Sequence, residues 1–375
     1  MSERRCRFEV KATCGGARTG EVHTPRGSFP TPAFMPVGTR AAVRLLTAAD
    51  LEWLGSDFVL ANTYHLMLRP GADVVRDLGG LHSFMSWDGH VLTDSGGYQV
   101  FSLEPKVDET GASFRSTYDG TTHLLSPELA VEVQGDLGAD IQMALDICPP
   151  LPSARQVVVD ATERTHRWAA RARRAFLDGL DRGRVPAHQV QFGIVQGGVE
   201  HDLRAASAEA ITEIDFDGYA AGGFSVGEDR SQMLPALEVV TATLPDDRPR
   251  YVMGLGDPVG LVESVARGVD MFDCVLPTRL ARHGGVLTAE GKINLRNARF
   301  ARDDSPIDPA GTAPGLERYS RGYLRHLLLV HEPTAARIVT LHNLWWTLEL
   351  VRRMREAIGD GTFDALRAEV ADAWG

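Results

Sequence analysis

The chain has 375 residues, of which 43% are hydrophobic, and a formal net charge of -11; it is long enough to bury a large core, and its charge argues against coating nucleic acid over the whole surface. No apolar run approaches the roughly 18 residues that a bilayer span needs, and the first residues, MSERRCRFEV, lack the apolar stretch of a signal peptide. The cysteines have no disulfide-framework spacing, so we expect a reducing, cytoplasmic environment.

Short apolar runs that end in polar or glycine turns alternate with amphipathic segments along the chain. The apolar runs predict eight strands: Ala33–Val37, Asp57–Ala61, His90–Thr93, Asp140–Leu145, Val190–Val195, Tyr219–Gly222, Tyr251–Gly254 and Asp270–Cys274. The amphipathic segments predict helices over Ser126–Leu137, Ala154–Leu180, Val199–Ile211, Arg230–Thr243 and Pro258–Arg267. This alternation predicts an α/β fold, a (β/α)8 TIM barrel. A doubly wound sheet is the alternative, but the sequence lacks its glycine fingerprint after the first strand.

Several segments do not belong to a minimal barrel. Phe8–Pro32 predicts an antiparallel cap over the barrel bottom, Lys106–His123 an inserted hairpin, and Gly284–Arg296 a second hairpin. Arg302–Gly315 is rich in turn signals, whereas Tyr319–Trp374 is strongly helical. We therefore expect a barrel with its cap and insertions over residues 1–300, and a C-terminal helical subdomain over residues 301–375.

Three aspartates each close an apolar run and open a turn: Asp94 in HVLTDSGGYQV, Asp146 in ADIQMALDICPP and Asp273 in VDMFDCVLPTR. In a barrel, such residues lie at the C-terminal ends of strands, where catalytic groups are found. The ordinary interpretation of each is a turn or a helix cap, although Pro277 disfavours a helix that starts directly after Asp273. Three carboxylates at one mouth suit a nucleophile, an acid/base partner and a group that reads the substrate, as in chemistry at an anomeric carbon.

Glycine turns recur at successive strand ends, in VQGG, GGFSVGE and MGLG. One such turn means little, but several together predict a flat ligand lying against exposed backbone N–H groups. Backbone donors, the amide of Gln196 and a carboxylate match the hydrogen-bonding edge of guanine. We therefore predict a nucleobase slot.

The chain resembles the bacterial-type tRNA-guanine transglycosylases of the queuine tRNA-ribosyltransferase family. DSGGYQVFS, MALDICPP, VQGG, GGFSVGE, MGLG and DMFDCVLPTRLAR follow in that family's order and spacing, and the likeness runs from about Phe8 to the C-terminal helices. The resemblance implies exchange of the wobble guanine of certain tRNA anticodons for preQ1, a 7-deazaguanine precursor of queuosine. It also implies a homodimer.

The resemblance assigns roles to individual residues. It implies that Asp273 is the nucleophile and Asp94 the general acid/base. The other implied contacts are Asp146, Gln196, Gly222 and Gly223 to the base edge, Tyr98 and Met253 on the two faces of the ring, and Arg279 and Arg282 to the anticodon loop. Cys148 and Val226 match the bacterial pattern, which favours preQ1 over the bulkier queuine.

The sequence departs from the family at its zinc site. The family binds zinc through three cysteines, spaced CxCxxC, and a later histidine, but here Gly311, Ala313 and Leu316 stand at the cysteine positions and only His342 remains. One imidazole cannot hold Zn²⁺, so we expect no metal cofactor and a hydrogen-bonded core histidine instead. We expect the loop to be stabilised by Leu316, Tyr319, Tyr323, Trp345 and Trp346, packed in the core.

Two other hypotheses remain open from the sequence. The loss of the zinc cysteines suggests a non-catalytic tRNA-binding or partner subunit, although such a protein is expected to lose the carboxylates as well. A deazapurine transglycosylase that acts on another nucleic acid, such as DNA, keeps the same chemistry. Arg279 and Arg282 favour tRNA over DNA.

Overall fold

A computed structural model describes residues 4–224 and 226–375. Its centre is a closed barrel of eight parallel strands, in the order β4-β5-β6-β10-β11-β12-β13-β14. These strands are β4 (Ala33–Gly38), β5 (Phe58–Ala61), β6 (His90–Thr93), β10 (Ile141–Met143), β11 (Val190–Val195), β12 (Gly218–Ala221), β13 (Arg250–Val252) and β14 (Met271–Cys274). The predicted TIM barrel is confirmed, and every predicted strand is present with ends that differ by at most a few residues.

Helices connect the barrel strands and cover the outside. They are α1 (Ala48–Trp53), α2 (Thr63–Leu68), α3 (Ala72–Asp77), α4 (Gly80–Met85), α5 (Gly97–Phe101), α6 (Pro127–Leu137), α7 (Arg155–Asp181), α8 (His201–Glu213), α9 (Arg230–Thr243), α10 (Pro258–Val265) and α11 (Leu276–Arg282). Polar N-cap side chains start several of them, as where Ser126 accepts the Leu129 N–H at the start of α6. The five predicted helices are confirmed, with α8 starting and α10 ending two residues inside the expected bounds.

The alternation of side chains along each strand determines which residues reach the barrel mouth. Met35, Leu60, Leu92, Ile194, Ala220, Tyr251 and Met271 point inward and fill the barrel interior together with Phe58 and Phe192. Their neighbours Val59, Val91, Val195, Tyr219 and Phe272 pack outward against the helices. With a period of two, the next inward positions after Leu92, Ile194 and Met271 are Asp94, Gln196 and Asp273. The apolar layer therefore ends where the predicted polar site begins.

An antiparallel sheet of β1 (Arg7–Cys14), β2 (Ala17–Thr24) and β3 (Gly27–Thr31) closes the bottom of the barrel. Phe8, Val22 and Phe29 join the apolar interior. Arg18 of β2 donates from Nε and Nη2 to the carboxylate of Asp270, at 2.9 and 2.6 Å, just before β14. The predicted antiparallel cap is confirmed.

Two smaller sheets are inserted. The segment expected to be a hairpin over Lys106–His123 is instead a three-stranded antiparallel sheet of β7 (Lys106–Val107), β8 (Ala112–Arg115) and β9 (Thr122–Leu125). The prediction was wrong because this segment has two turn signals, DETG and DG, and two turns join three strands. The hairpin of β15 (Gly285–Thr288) and β16 (Gly291–Asn294) is confirmed.

The C-terminal part consists of a 3₁₀ turn (Ala298–Phe300) and three helices, α12 (Arg321–Leu329), α13 (Pro333–Gly359) and α14 (Phe363–Trp374). The predicted helical character is confirmed. Helix α13 packs on α11 and on the edges of β1, β2 and β4, and Arg337 pairs with Asp50 of α1 at 2.6 Å. None of the helices in the described residues is long and apolar enough to cross a membrane.

Candidate active site

Asp273 lies at the end of β14 and faces the barrel mouth, partly exposed. The Tyr251 hydroxyl and the Gly254 N–H, the latter at 2.7 Å, both donate to its Oδ1. No described residue bonds Oδ2, so this oxygen is free to approach a substrate. Burial raises the pKa of Asp273, whereas the two hydrogen bonds oppose the rise because they favour the charged form.

Asp94 follows β6, and its carboxylate is held by the residues that directly follow the neighbouring strand β5. Its carboxylate accepts hydrogen bonds from the Asn62 side chain, from the Thr63 N–H at 2.9 Å and from the Gly96 N–H at 3.0 Å. Burial, together with the nearby charge of Asp273, raises the pKa of Asp94 to about 7, although these hydrogen bonds lower it. A carboxyl group with such a pKa can both give and take a proton at neutral pH, as a general acid/base must.

Asp146 and Gln196 meet after the neighbouring strands β10 and β11. Gln196 Nε2 donates to Asp146 Oδ2 at 2.6 Å, and the Ser95 hydroxyl lies 3.5 Å from Asp146 Oδ1. Burial raises the pKa of Asp146 to about 6. The structure thus brings together a carboxylate and an amide that the sequence placed 50 residues apart.

Gly222 and Gly223 line the same slot, and a side chain at either position would displace Gln196. A Cβ atom at Gly222 would lie 2.7 Å from Gln196 Nε2, and one at Gly223 would lie 2.5 Å from Gln196 Oε1. Gly223 also has a φ of +71°, in the left-handed region. The absence of these side chains leaves room for a flat ring beside Asp146 and Gln196. Ser225, in the same GGFSVGE segment, lies outside the described residues.

Tyr98 and Met253 occupy different surroundings. Tyr98, on α5, is 61% exposed and lines a cavity of about 450 Å³ together with Cys148 and Val226. Met253 is partly buried and packs on the apolar interior at the top of β13. Their placement on the two faces of a bound ring stays a prediction.

Arg279 and Arg282 lie on α11, directly after Asp273. Arg279 is exposed, and Arg282 is partly buried with Nη1 3.4 Å from the Thr278 hydroxyl. Burial lowers the pKa of Arg282, and the charges of Arg44 and Arg279 lower it further. The helix therefore presents a cluster of like charges beside the nucleophile candidate, as an anionic partner requires.

The sequence patterns did not predict three further candidate site residues: Asn62, Tyr251 and Arg204. Asn62 ends β5 as the aspartates end their strands, so the same strand-end signal could have found it. Tyr251 and Arg204 gave no signal, because a tyrosine inside a strand and an arginine on a helix are ordinary. Arg204 is fully buried and donates to the carbonyls of Gly198, Val195 and Gly222 at 2.7, 2.9 and 2.8 Å.

The residues at the family's zinc position do not fit a metal ion. His342 is fully buried; its Nε2 lies 2.9 Å from the Leu287 carbonyl, and its Nδ1 lies 3.5 Å from the Ala313 N–H. Ala313 is itself fully buried, and Leu316 packs in the same core. The core histidine that the sequence predicted is confirmed.

The aromatic residues near this loop do not all lie in the core. Tyr319, Trp345 and Trp346 are partly buried against it, but Tyr323 is 46% exposed and stacks on Tyr319 with ring centroids 6.2 Å apart. The expectation that Tyr323 is a core residue was wrong. Helix α12 buries Leu324, Leu327 and Leu328, which leaves Tyr323 on its solvent-facing side.

The chain is similar to known proteins over almost its whole length. The sequence model of the family described as "TGT: Queuine tRNA-ribosyltransferase" matches residues 13–375. The chain is 48% identical over 379 residues to a queuine tRNA-ribosyltransferase of Lysinibacillus sphaericus (strain C3-41), covering 100% of this chain and 98% of the relative. The same name belongs to relatives from Bacillus subtilis (strain 168), 47% identical with the same coverage, and from Desulforudis audaxviator (strain MP104C), 51% identical over 94% of each chain.

Proposed function

The chain belongs to the queuine tRNA-ribosyltransferase family, and from this premise we propose that it is a tRNA-guanine transglycosylase, a pentosyltransferase of queuosine biosynthesis. The observation that carries the proposal is the pairing of two carboxyl groups at one barrel mouth: Asp94 and Asp273 are near enough for the charge of one to raise the pKa of the other. A base slot of Asp146, Gln196, Gly222 and Gly223 lies beside them.

The chemistry is a covalent double displacement. Asp273 Oδ2 attacks C1′ of the target nucleotide while the bond from C1′ to guanine N9 breaks, and Asp94 delivers a proton to the departing base. The incoming base then gives its N9 proton to Asp94 and attacks C1′, and the ester bond to Asp273 breaks. The carboxylate and the acid/base are thereby restored, and the two inversions give net retention.

The target nucleotide is the wobble guanine of a tRNA anticodon. The base must leave the loop stack to reach the slot, which costs a few kcal/mol and less in a single strand. Arg279 and Arg282 on α11 support an RNA contact beside Asp273. Because the chain has a net charge of -11, only such a local cationic face attracts the polyanion, and binding should weaken steeply with salt.

The incoming base is preQ1 in this proposal. Asp146 and Gln196 hydrogen-bond its edge, the Gly222-Gly223 backbone approaches its carbonyl, and Tyr98 and Met253 cover its faces. Cys148 and Val226 line the cavity next to Tyr98, and a valine there leaves less room for a bulky base such as queuine than a glycine would.

The proposed assembly is a homodimer. Tyr323, Leu329 and Val330, at and after α12, are large apolar side chains with 46%, 45% and 57% exposure. Large exposed apolar side chains along one helix and directly after it favour a protein contact over solvent.

The proposed enzyme works without a structural metal. Zinc needs four ligands, or three and a water molecule, and the thiolates that would supply three of them are replaced by Gly311, Ala313 and Leu316. The ring nitrogens of His342 are both occupied by backbone groups.

A guanine-exchange assay on the purified protein tests the function. The wild type should incorporate labelled guanine into tRNA and form a covalent RNA adduct that survives denaturation, and Asp273→Ala should abolish both. Asp88→Ala, an exposed aspartate at the barrel bottom, is the matched control and should keep both.

The same assay separates the open hypotheses. Failure of the wild type to exchange guanine while it still binds tRNA would favour the non-catalytic subunit. Exchange into duplex DNA in preference to tRNA would favour a deazapurine transglycosylase that acts on DNA. Exchange by Asp273→Ala would refute the assigned nucleophile.

A further inference from the structure

The barrel mouth is divided into two arcs by the strands that carry Asp273 and Asp94. Four strands follow one another in the barrel as β14, β4, β5 and β6, so the loops after β4 and β5 lie between the two aspartates. The base-slot residues Asp146, Gln196 and Gly222 come from the remaining arc, on β10, β11 and β12. Since the glycosidic bond joins the base to the ribose, a base held on one arc directs the sugar-phosphate chain toward the other.

The loops of that second arc bring two arginines to one aromatic ring. The guanidinium carbons of Arg40, after β4, and Arg69, after α2, lie 5.6 and 4.9 Å from the ring centroid of Tyr118. Tyr118 belongs to the turn between β8 and β9, and its hydroxyl lies 2.9 Å from His65 Nδ1. The ring thus orders two long cationic side chains, as in cation-π contacts elsewhere.

The ring is connected to the catalytic residues through α2. Asn62, which donates to Asp94, also accepts the His65 N–H at 3.0 Å as the N-cap of this helix. Arg69 is the C-cap residue of the same helix. Asn62 and Arg69 thus stand at the two ends of one short helix, which fixes the backbone of Arg69 relative to Asp94.

Arg40 and Arg69 are exposed and form no ion pair within the described part of the chain. Some exposed arginines are paired, as Arg155 is with Asp202 and Arg352 is with Glu349, so Arg40 and Arg69 differ from these in keeping their charge available. Arg44 on the same loop, together with Arg279 and Arg282, extends the cationic face toward Asp273. Unpaired guanidinium groups, held in place and exposed, match the geometry of phosphate oxygens.

We propose that Arg40 and Arg69, ordered by the ring of Tyr118, bind backbone phosphates of the RNA strand that flanks the target nucleotide. The proposal rests on the proposed function and adds a second cationic contact to that of Arg279 and Arg282. Phosphate contacts fix the register of a nucleic acid without reading its sequence. Tyr118 lowers the entropy cost of binding, because the side chains are ordered before the RNA arrives.

Equilibrium binding of tRNA over a salt series, with steady-state kinetics, tests this surface. Arg40→Gln and Arg69→Gln should each weaken tRNA binding about three- to tenfold at low salt and reduce the slope of log K against log salt by about 1. The KM for tRNA should rise by the same factor, while the KM for free guanine changes less than about twofold. Tyr118→Leu should weaken binding, whereas Tyr118→Phe should bind as the wild type does because it keeps the ring.

Arg182→Gln is the matched control. Arg182 is exposed after α7, at the bottom of the barrel, so the change removes the same charge from the opposite face and should leave the salt slope unaltered. The proposal fails if Arg40→Gln and Arg69→Gln keep the wild-type slope, or if Arg182→Gln weakens binding equally. Wild-type protein that binds tRNA through these arginines but never exchanges guanine would refute the proposed function and leave this contact standing.

Discussion

Asp273 depends on a phenol for its ionised form. Tyr251 is buried within the barrel and donates its hydroxyl hydrogen to Oδ1 of Asp273. This hydrogen bond stabilises the carboxylate and so opposes burial, which raises the pKa of Asp273. The burial raises the pKa of Tyr251 well above its usual value as well, so the phenol stays a donor at every working pH. A nucleophile in the protonated form cannot attack C1′.

Tyr251→Phe should therefore move the acid limb of the pH–rate profile upward. Loss of a hydrogen bond to a charged group costs about 1.5–3 kcal/mol, and 1.36 kcal/mol corresponds to one pKa unit, so we expect a rise of about one unit. At pH values on the acid limb, the exchange rate should fall about tenfold relative to the wild type, and it should recover at higher pH. Tyr219→Phe, which removes a buried hydroxyl that bonds the Thr212 carbonyl, is the control; an unshifted limb in Tyr251→Phe would contradict this role.

Arg204 fixes the relative positions of the glycine-containing loops that follow β11 and β12. Its guanidinium joins Val195 and Gly198, at the end of β11, to Gly222, at the end of β12. Burial lowers its pKa to about 9, so the group remains cationic near neutral pH. Since these loops form the base slot, Arg204 acts as a positioning residue for Gln196 and Gly222.

Arg204→Lys should raise the KM for free guanine more than the KM for tRNA. An ammonium group cannot reach all three carbonyls, and each buried acceptor left without a partner costs about 1–3 kcal/mol, which predicts a tenfold or larger effect on guanine. Arg173→Lys removes a comparable guanidinium from Asp217 and the Asp215 carbonyl at the other end of β12, and should not change the KM for guanine. Equal effects of both variants would show that Arg204 has only a structural role.

At the scale of elements, one buried ion pair joins the antiparallel cap to the barrel. Asp270 precedes β14 and accepts from Arg18 of β2 and from the Arg250 N–H of β13 at 2.7 Å. Arg18 also donates to the carbonyls of Asp246 and Arg248. A barrel bottom closed in this way keeps water from the interior below the site.

Arg18→Met should lower the free energy of unfolding by about 3–5 kcal/mol, because it leaves a buried carboxylate without its partner. Urea denaturation measures the loss. The double variant Arg18→Met/Asp270→Asn should lose less than the sum of the single changes, since the orphaned charge is gone. Arg4→Met breaks an exposed pair with Asp247 and should cost about 1 kcal/mol or less; a loss as small for Arg18→Met would show that the pair is dispensable.

At the scale of the whole molecule, apolar packing and two histidine hydrogen bonds join the C-terminal helices to the barrel. Ala313 and Leu316 enter the main core, and His342 of α13 bonds the backbone of both the loop and β15. Burial lowers the pKa of His342, so it stays neutral and keeps these bonds at physiological pH.

Chelator treatment should leave the melting temperature and the rate of guanine exchange unchanged, while Leu316→Ala should destabilise the fold by about 2–5 kcal/mol. Differential scanning calorimetry with and without EDTA, with metal analysis of the same sample, measures both. Leu177→Ala, at an exposed position of α7, is the matched control and should have little effect. A melting temperature that falls with EDTA and recovers with zinc would refute metal independence.

Sequence patterns located the barrel strands and the main polar residues of the site well. Runs such as HVLT and VQFGIV alternate between two apolar faces and are followed by Asp94 and Gln196. Both the strand and the first residue of the mouth can therefore be predicted from them. The third strand of the insertion was missed although both turn signals, DETG and DG, are present in the sequence. The exposure of Tyr323 was misjudged because it depends on which face of α12 packs against the core.

What the sequence by itself determined is the eightfold alternation and the order in which Asp94, Asp146, Gln196 and Asp273 reach the C-terminal ends of strands, since side-chain periodicity is a local property of the backbone. What only the tertiary structure decided is which distant residues are in contact at the barrel mouth. These contacts are Tyr251 with Asp273, Arg204 with three carbonyls, and Arg40 and Arg69 with Tyr118. Those contacts join residues from separate loops and strands. They exist because closure of the barrel brings distant strand ends to one rim, and no local pattern records that closure.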